Sequence, residues 1–166
     1  MTKYSKPNVW RFMIVLIIAG CATFKTTLYD QSKLKAVTSW HIDFSYETGE
    51  IEEKVTSEKE AEVKVITTGH SPRDLQLRDD IFFHLKDKYR IPVVKDVNVA
   101  SGFISIHPVH FYLGGFKSLD VTFYDRENNL IARIRVKNGD RRATFKEDDE
   151  FAEYCADAIA GLILTK

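Results

Sequence analysis

Apolar and polar residues alternate along several stretches of the chain and recur at helical spacing along others. From Val37 to Tyr46, the apolar set Trp40, Ile42, Phe44 and Tyr46 alternates with Ser39, His41, Asp43 and Ser45, which predicts a strand with one buried and one wet face. The strongest sheet signal is a hairpin. Leu119, Val121 and Phe123 lead into Asp125-Arg126-Glu127-Asn128-Asn129, and Leu130, Ala132, Ile134 and Val136 return with strict alternation. Arg133, Arg135 and Lys137 then fall on the outer face, where Asp120 on the neighbouring strand can pair with one of them.

Two segments read as helices. Ser71-Pro72-Arg73-Asp74 offers an N-cap, a proline at the first helical position and a capping-box acid. The helix is expected to run to about Lys88. Leu77, Ile81 and Leu85 repeat at four and Leu75, Phe82 and Tyr89 at seven, and Ile91-Pro92 stops it. The second runs from near Glu147 to Leu164. Phe151, Cys155, Ala158, Ile159, Leu162 and Ile163 form its core-facing stripe, and acids fill its first turn.

The remaining stretches are less periodic. Residues 22–35 lack a sustained period and read as a tether, not necessarily free throughout, since Leu28, Tyr29 and Leu34 can dock onto the domain. The acidic run from Glu47 to Glu62 fits either a solvated helix or a charged β extension, and Glu62 to Thr68 reads as a strand. Val93 to Ile106 predicts one or two short strands broken near Asp96 or Ser101-Gly102. Pro108 makes His107 to Phe116 an edge strand or a loop. Together these elements predict an α+β two-layer sandwich, a mostly antiparallel sheet with two amphipathic helices packed on one face.

Composition supports a single folded domain. The chain has 166 residues, of which 44% are hydrophobic, enough for a core. Its 8 Gly and 4 Pro exclude a fibrous chain, and its 2 Cys exclude a disulfide-stapled mini-protein. The formal net charge of zero argues against a nucleic-acid partner.

Charge is unevenly placed. Lys3, Lys6 and Arg11 precede the apolar run Phe12 to Ile18, and Ala19, Gly20 and Cys21 follow it. A positive start, a short greasy run and small residues are the layout of a secretory signal, and the run is too short for a bilayer-spanning helix. Residues 1–20 are therefore expected to be a signal peptide, 21–35 a modified cysteine with its tether, and 36–166 the folded domain.

Ile18-Ala19-Gly20-Cys21 resembles the lipobox of bacterial lipoproteins. The resemblance implies cleavage before Cys21, a diacylglyceryl thioether on its sulfur and an acyl chain such as palmitate on the new amine. Ala22, in place of an aspartate, implies sorting to the inner leaflet of the outer membrane, facing the periplasm. Over residues 37–163 the chain resembles small uncharacterised lipoproteins with α+β domains, a family that brings no catalytic residues to transfer.

Searches for chemistry return little. His107 and His110 lie three apart, with no further ligand nearby in sequence to complete a metal site, so no metal and no cofactor beyond covalent lipid is expected. Cys155, on the apolar stripe, reads as a small core residue. Gly114-Gly115 lacks the lysine spacing of a phosphate loop. Two surface candidates remain. Arg126, Arg133, Arg135, Lys137, Arg141 and Arg142 form a basic cluster that is either a solvated, edge-protecting face or a contact for an anionic partner. His110, Phe111, Tyr112, Leu113 and Phe116 either complete the core or form an interface. The expected function is a lipid-anchored, non-enzymatic binding or scaffolding module for another envelope component. A carrier with an apolar pocket lined by residues such as Phe82, Phe111 and Phe123 is the alternative, and a hydrolytic enzyme a more distant one.

Overall fold

A computed structural model describes residues 22–44, 51–55, 63–67, 71–110, 115–139 and 146–165. In chain order the elements are β1 (Thr23–Leu28), α1 (Gln31–Ala36), β2 (Trp40–Phe44), β3 (Ile51–Val55), β4 (Val63–Thr67), α2 (Pro72–Phe83), β5 (Val93–Val94), β6 (Gly102–His110), β7 (Phe116–Asp125), β8 (Leu130–Lys137) and α3 (Asp148–Leu164). A π-helical turn at His84–Lys88 continues α2 to the predicted end. β3 and β4 form an antiparallel two-stranded ribbon, so the described part of the acidic stretch, residues 51–55, takes the β alternative.

The main sheet has six strands in the order β1-β8-β7-β6-β2-β5. β1, β8, β7 and β6 are antiparallel neighbours, and β2 lies parallel to both β6 and β5. The architecture is the expected two-layer α+β sandwich, with a mixed, largely antiparallel sheet.

The buried stripes of the two long helices meet one face of this sheet. Ser71 and Asp74 close the capping box at the start of α2, whose Leu77 and Ile81 are buried. On α3, Phe151, Cys155, Ile159 and Ile163 are buried, joined by the small residues Ala152, Ala156 and Ala160. Beneath them lie Trp40, Ile104, Val121, Phe123 and Ile134, and the Trp40 and Phe123 rings meet edge to face at 5.6 Å. Each such large side chain contributes about 1.5–3 kcal/mol by leaving water. Lys88 clamps the helices together, donating to Glu153 at 2.8 Å and to Asp157 at 2.9 Å, and these hydrogen bonds raise its pKa.

Two local expectations are corrected, and a third is followed as far as the described residues go. The expected tether is part of the fold: β1 pairs with β8 along its whole length, and α1 buries Leu34. All six β1 side chains are exposed, so the strand is held by its backbone hydrogen bonds and carries no alternation to read. Leu130 does not continue the inward face of β8. Phe123 pairs with Ala132 and Tyr124 with Leu130, so Ile131 is an extra residue. This β-bulge turns Ile131 into the core and leaves Leu130 exposed. Its carbonyl also accepts the amides of Tyr29 and Asp30 at 2.9 and 3.2 Å, turning the chain from β1 into α1. Of the edge strand or loop expected around Pro108, the described part, His107–His110, is strand, with Pro108 paired to Leu119 of β7 and a register shift between Val109 and His110.

Candidate functional site

Among the described residues, both long helices cover one side of the sheet and leave the other side open, and register fixes which residues share it. Lys25 pairs with Arg135, Arg135 with Asp120, and Asp120 with His107, which makes one row across four strands. On one flank, Thr23, Lys137, Ser118 and Val109 form the next outward row. On the other, Thr27, Arg133, Thr122, Ser105 and Asp43 form a row that reaches β2. Beyond it, Leu130, Tyr124, Phe103 and His41 make an apolar end row, with the His41 and Phe103 rings 6.4 Å apart. The open face is thus basic across its middle and one end, and apolar at the other end.

One acid organises the basic part. Arg135 donates through Nε and Nη2 to the two carboxylate oxygens of Asp120 at 2.6 and 2.7 Å, and Arg133 Nη2 stands 3.9 Å away. The Arg135 hydrogen bonds hold the Asp120 carboxyl below the usual range, against the opposing effect of burial. Exposed pairs of this kind contribute about 0–1 kcal/mol, so the arrangement positions charge more than it stabilises the fold. Arg133 and Arg135 keep more than half of their side-chain surface in solvent. The pairing of Asp120 with the outer basic residues is the one expected from alternation.

The predicted basic cluster is only partly assembled. Arg133, Arg135 and Lys137 lie together, and Lys25, which sequence reasoning missed, joins them from β1. Arg126 does not: it sits in the β7–β8 turn, where Nη2 donates to the Asn98 carbonyl at 3.2 Å, at the far end of the sheet. Arg141 and Arg142 lie outside the described residues.

Of the two readings of the aromatic segment, core or interface, Phe116 takes the core. Phe116 is fully buried, with the Arg73 guanidinium 5.4 Å above its ring and itself bound to Asp148. It completes the core. His110 ends β6, and Phe111, Tyr112 and Leu113 lie outside the described residues, as does Cys21.

A second cluster surrounds the point where the described chain begins. Tyr154 on α3 donates its hydroxyl to the Ala22 carbonyl at 2.8 Å. Its ring meets Phe24 edge to face at 6.0 Å and carries the Lys146 ammonium 5.7 Å from its centroid. Asn138 fixes Lys146 in turn, accepting from its amide at 2.8 Å and donating to its carbonyl at 3.0 Å. This corner unites residues far apart in sequence, and no local pattern marks it.

Chemistry beyond charge is sparse. Among the described residues, no group of three or more His, Cys, Asp and Glu is placed to hold a metal. Cys155 is fully buried, and burial pushes its thiol pKa well up, the opposite of what an attacking thiolate needs. Phe82 and Phe123, proposed for a carrier pocket, are packed in the core. A hollow lined by Leu28, Gln31, Leu34, Lys35, Leu162 and Thr165 has a volume of about 60 Å³. A small-molecule pocket usually needs about 300 Å³ or more. No helix among the described residues is long and apolar enough to cross a membrane.

No protein-family model and no curated protein matches this chain. Two solved structures are similar in fold. A PelC dodecamer from Paraburkholderia phytofirmans is matched at 9% identity and a TM-score of 0.47, over 85% of this chain and 96% of that one. A DUF4136 family protein from Bacteroides thetaiotaomicron is matched at 7% identity and a TM-score of 0.51, over 87% of this chain and 98% of that one. At such identities the likeness speaks to backbone arrangement alone: the chain is a small α+β module similar in fold to the DUF4136 family protein.

Proposed function

We propose that this chain is a lipid-anchored envelope lipoprotein whose domain acts as a non-enzymatic binding or scaffolding module. The anchor reading rests on the run from Phe12 to Ile18 followed by Ile18-Ala19-Gly20-Cys21. Acylation of Cys21 with more than one chain gives stable attachment, where a single chain gives only marginal binding. Ala22 favours the outer membrane as its destination.

The observation that carries the binding reading is the open face of the sheet. Lys25, Arg133, Arg135 and Lys137 share it with only Asp120 and Asp43 as acids on the rows described. Arg135 is engaged with Asp120, but Arg133, more than half exposed and 3.9 Å from that carboxylate, and the exposed Lys25 and Lys137 suit carboxylate or phosphate groups on a partner. A packed core and a buried thiol support binding over carriage or catalysis.

In-cell crosslinking tests the reading. A photo-reactive residue in place of Thr122 is expected to capture an envelope component, and the same probe at Glu153 on the helix layer is not. Capture from neither position, or from both equally, would remove the open face from consideration. Separately, Cys21→Ala is expected to abolish lipid labelling and membrane retention.

A further inference from the structure

The corner at which the chain enters the domain also fixes how the domain stands on its membrane. Ala22 is held by Tyr154, and Thr23 is already paired with Lys137. Only one peptide link separates Ala22 from Cys21, a Cα–Cα step of about 3.8 Å. We propose that the end of the sheet bearing Thr23, Lys137, Ser118 and Val109 rests on the phospholipid headgroups. The strands then rise from the bilayer, and the β7–β8 turn is the membrane-distal tip. This inference rests on acylation of Cys21.

The residues at this end suit a headgroup layer. Phe24 is 53% exposed although it stacks on Tyr154, and Val109 is also exposed. Phe24 offers bare apolar surface, and Tyr154 beside it is an aromatic ring with a polar tip, the kind that favours the boundary between apolar chains and water. Lys137 and Lys117 are exposed beside them, the latter linked to the same end through its carbonyl and the Asn138 amide. Their flexible stems can reach lipid phosphates. The exposed acids Glu147, Asp149 and Glu150 open α3 nearby, so local charge is mixed. The short link to the anchor, more than charge attraction, sets the orientation.

The opposite end is well separated. β7 has 10 residues, which at about 3.3 Å each gives a strand of about 33 Å. Glu127, in the turn beyond it, is therefore far from the bilayer, while Lys137 lies at its surface.

Fluorophores attached to Lys137→Cys and Glu127→Cys in the acylated, full-length protein test this. Cys155 is buried and Cys21 is acylated, so the introduced thiol is the one labelled. The protein is reconstituted in phosphatidylethanolamine–phosphatidylglycerol vesicles that carry a headgroup-nitroxide lipid. The expected result is loss of most fluorescence at position 137 and little loss at 127. Lys117→Cys should behave like 137, which covers a variant that fails to fold. Equal or reversed quenching, in protein whose mass confirms acylation, would overturn the orientation and leave the anchor standing. An unmodified Cys21 by mass would overturn both.

Discussion

The hydroxyl of Tyr154 donates to the Ala22 carbonyl at 2.8 Å, so the last helix holds the first described residue of the chain. β1 has no buried side chain of its own, which makes this bond and the β8 ladder its main restraints. Tyr154→Phe keeps the ring against Phe24 and removes the hydroxyl's bond to Ala22. The expected cost is about 0.5–1.5 kcal/mol in urea denaturation. Amide exchange at Thr23–Leu28 should accelerate more than exchange in β7. Uniform acceleration across the sheet would show that β1 is not separately held.

Gly102 is a contact position, not a turn. A Cβ there would come within 2.7 Å of Val37 Cγ1 and 2.8 Å of the Trp40 ring. Trp40 is almost fully buried and cannot swing away without disturbing Phe123. Gly102→Ala is expected to destabilise the domain by about 1–3 kcal/mol, read from chemical denaturation midpoints. A neutral substitution would mean that the Val37 side can open at little cost.

Lys33 reaches from α1 to Asp125 at 2.7 Å, and Asn129 adds its backbone and side-chain amides to the same carboxylate. The Lys33 hydrogen bond, opposed by burial and aided by Asn129, holds the Asp125 pKa at about 2. An unfolded aspartate titrates near about 3.9. The folded state therefore gains stability that is fully present above about pH 4 and is lost as pH falls toward the folded value. In Lys33→Met the Asp125 titration, followed by carboxyl-carbon NMR, should move upward, and acid unfolding should begin at higher pH. An unmoved titration would assign the effect to Asn129 alone.

Charge on the open face can be reversed while both members of the Arg135–Asp120 fork are kept. Arg133→Glu combined with Lys137→Glu should leave the thermal midpoint nearly unchanged, because exposed ion pairs contribute about 0–1 kcal/mol. The same pair of changes should sharply reduce crosslinking to the envelope partner from position 122. Unaltered crosslinking would show that the partner does not read this charge.

The sequence discloses elements with one wet and one dry face. Trp40, Ile42 and Phe44, the hairpin from Leu119 to Val136, and the stripes of α2 and α3 all announce themselves because burial and exposure alternate at the period of the backbone. β1 is silent because water reaches every side chain, so Thr23–Leu28 differs little from a loop in composition. The extra residue Ile131 is equally hidden, since Leu130 and Ile131 are both apolar and only pairing with β7 decides which turns inward. The parallel neighbours β2 and β6 follow from chain routing, which periodicity does not encode. At the candidate site, Arg133, Arg135, Lys137 and Asp120 were readable from hairpin parity. Lys25 and the Tyr154 corner required the fold, Arg126 was misplaced because proximity in sequence is not proximity on a face, and Phe116 took the core reading of the two that its sequence left open.

The pairing of the opening strand with the eighth has a consequence for biogenesis. Ala22 and Tyr154 are 132 positions apart, so the docking of β1 must wait until nearly the entire polypeptide has left the ribosome. Long-separation pairings of this sort form slowly, because the loop must close before the contacts reward it. The stretch from Thr23 to Leu28 consequently stays pliable until the closing helix arrives and locks it down.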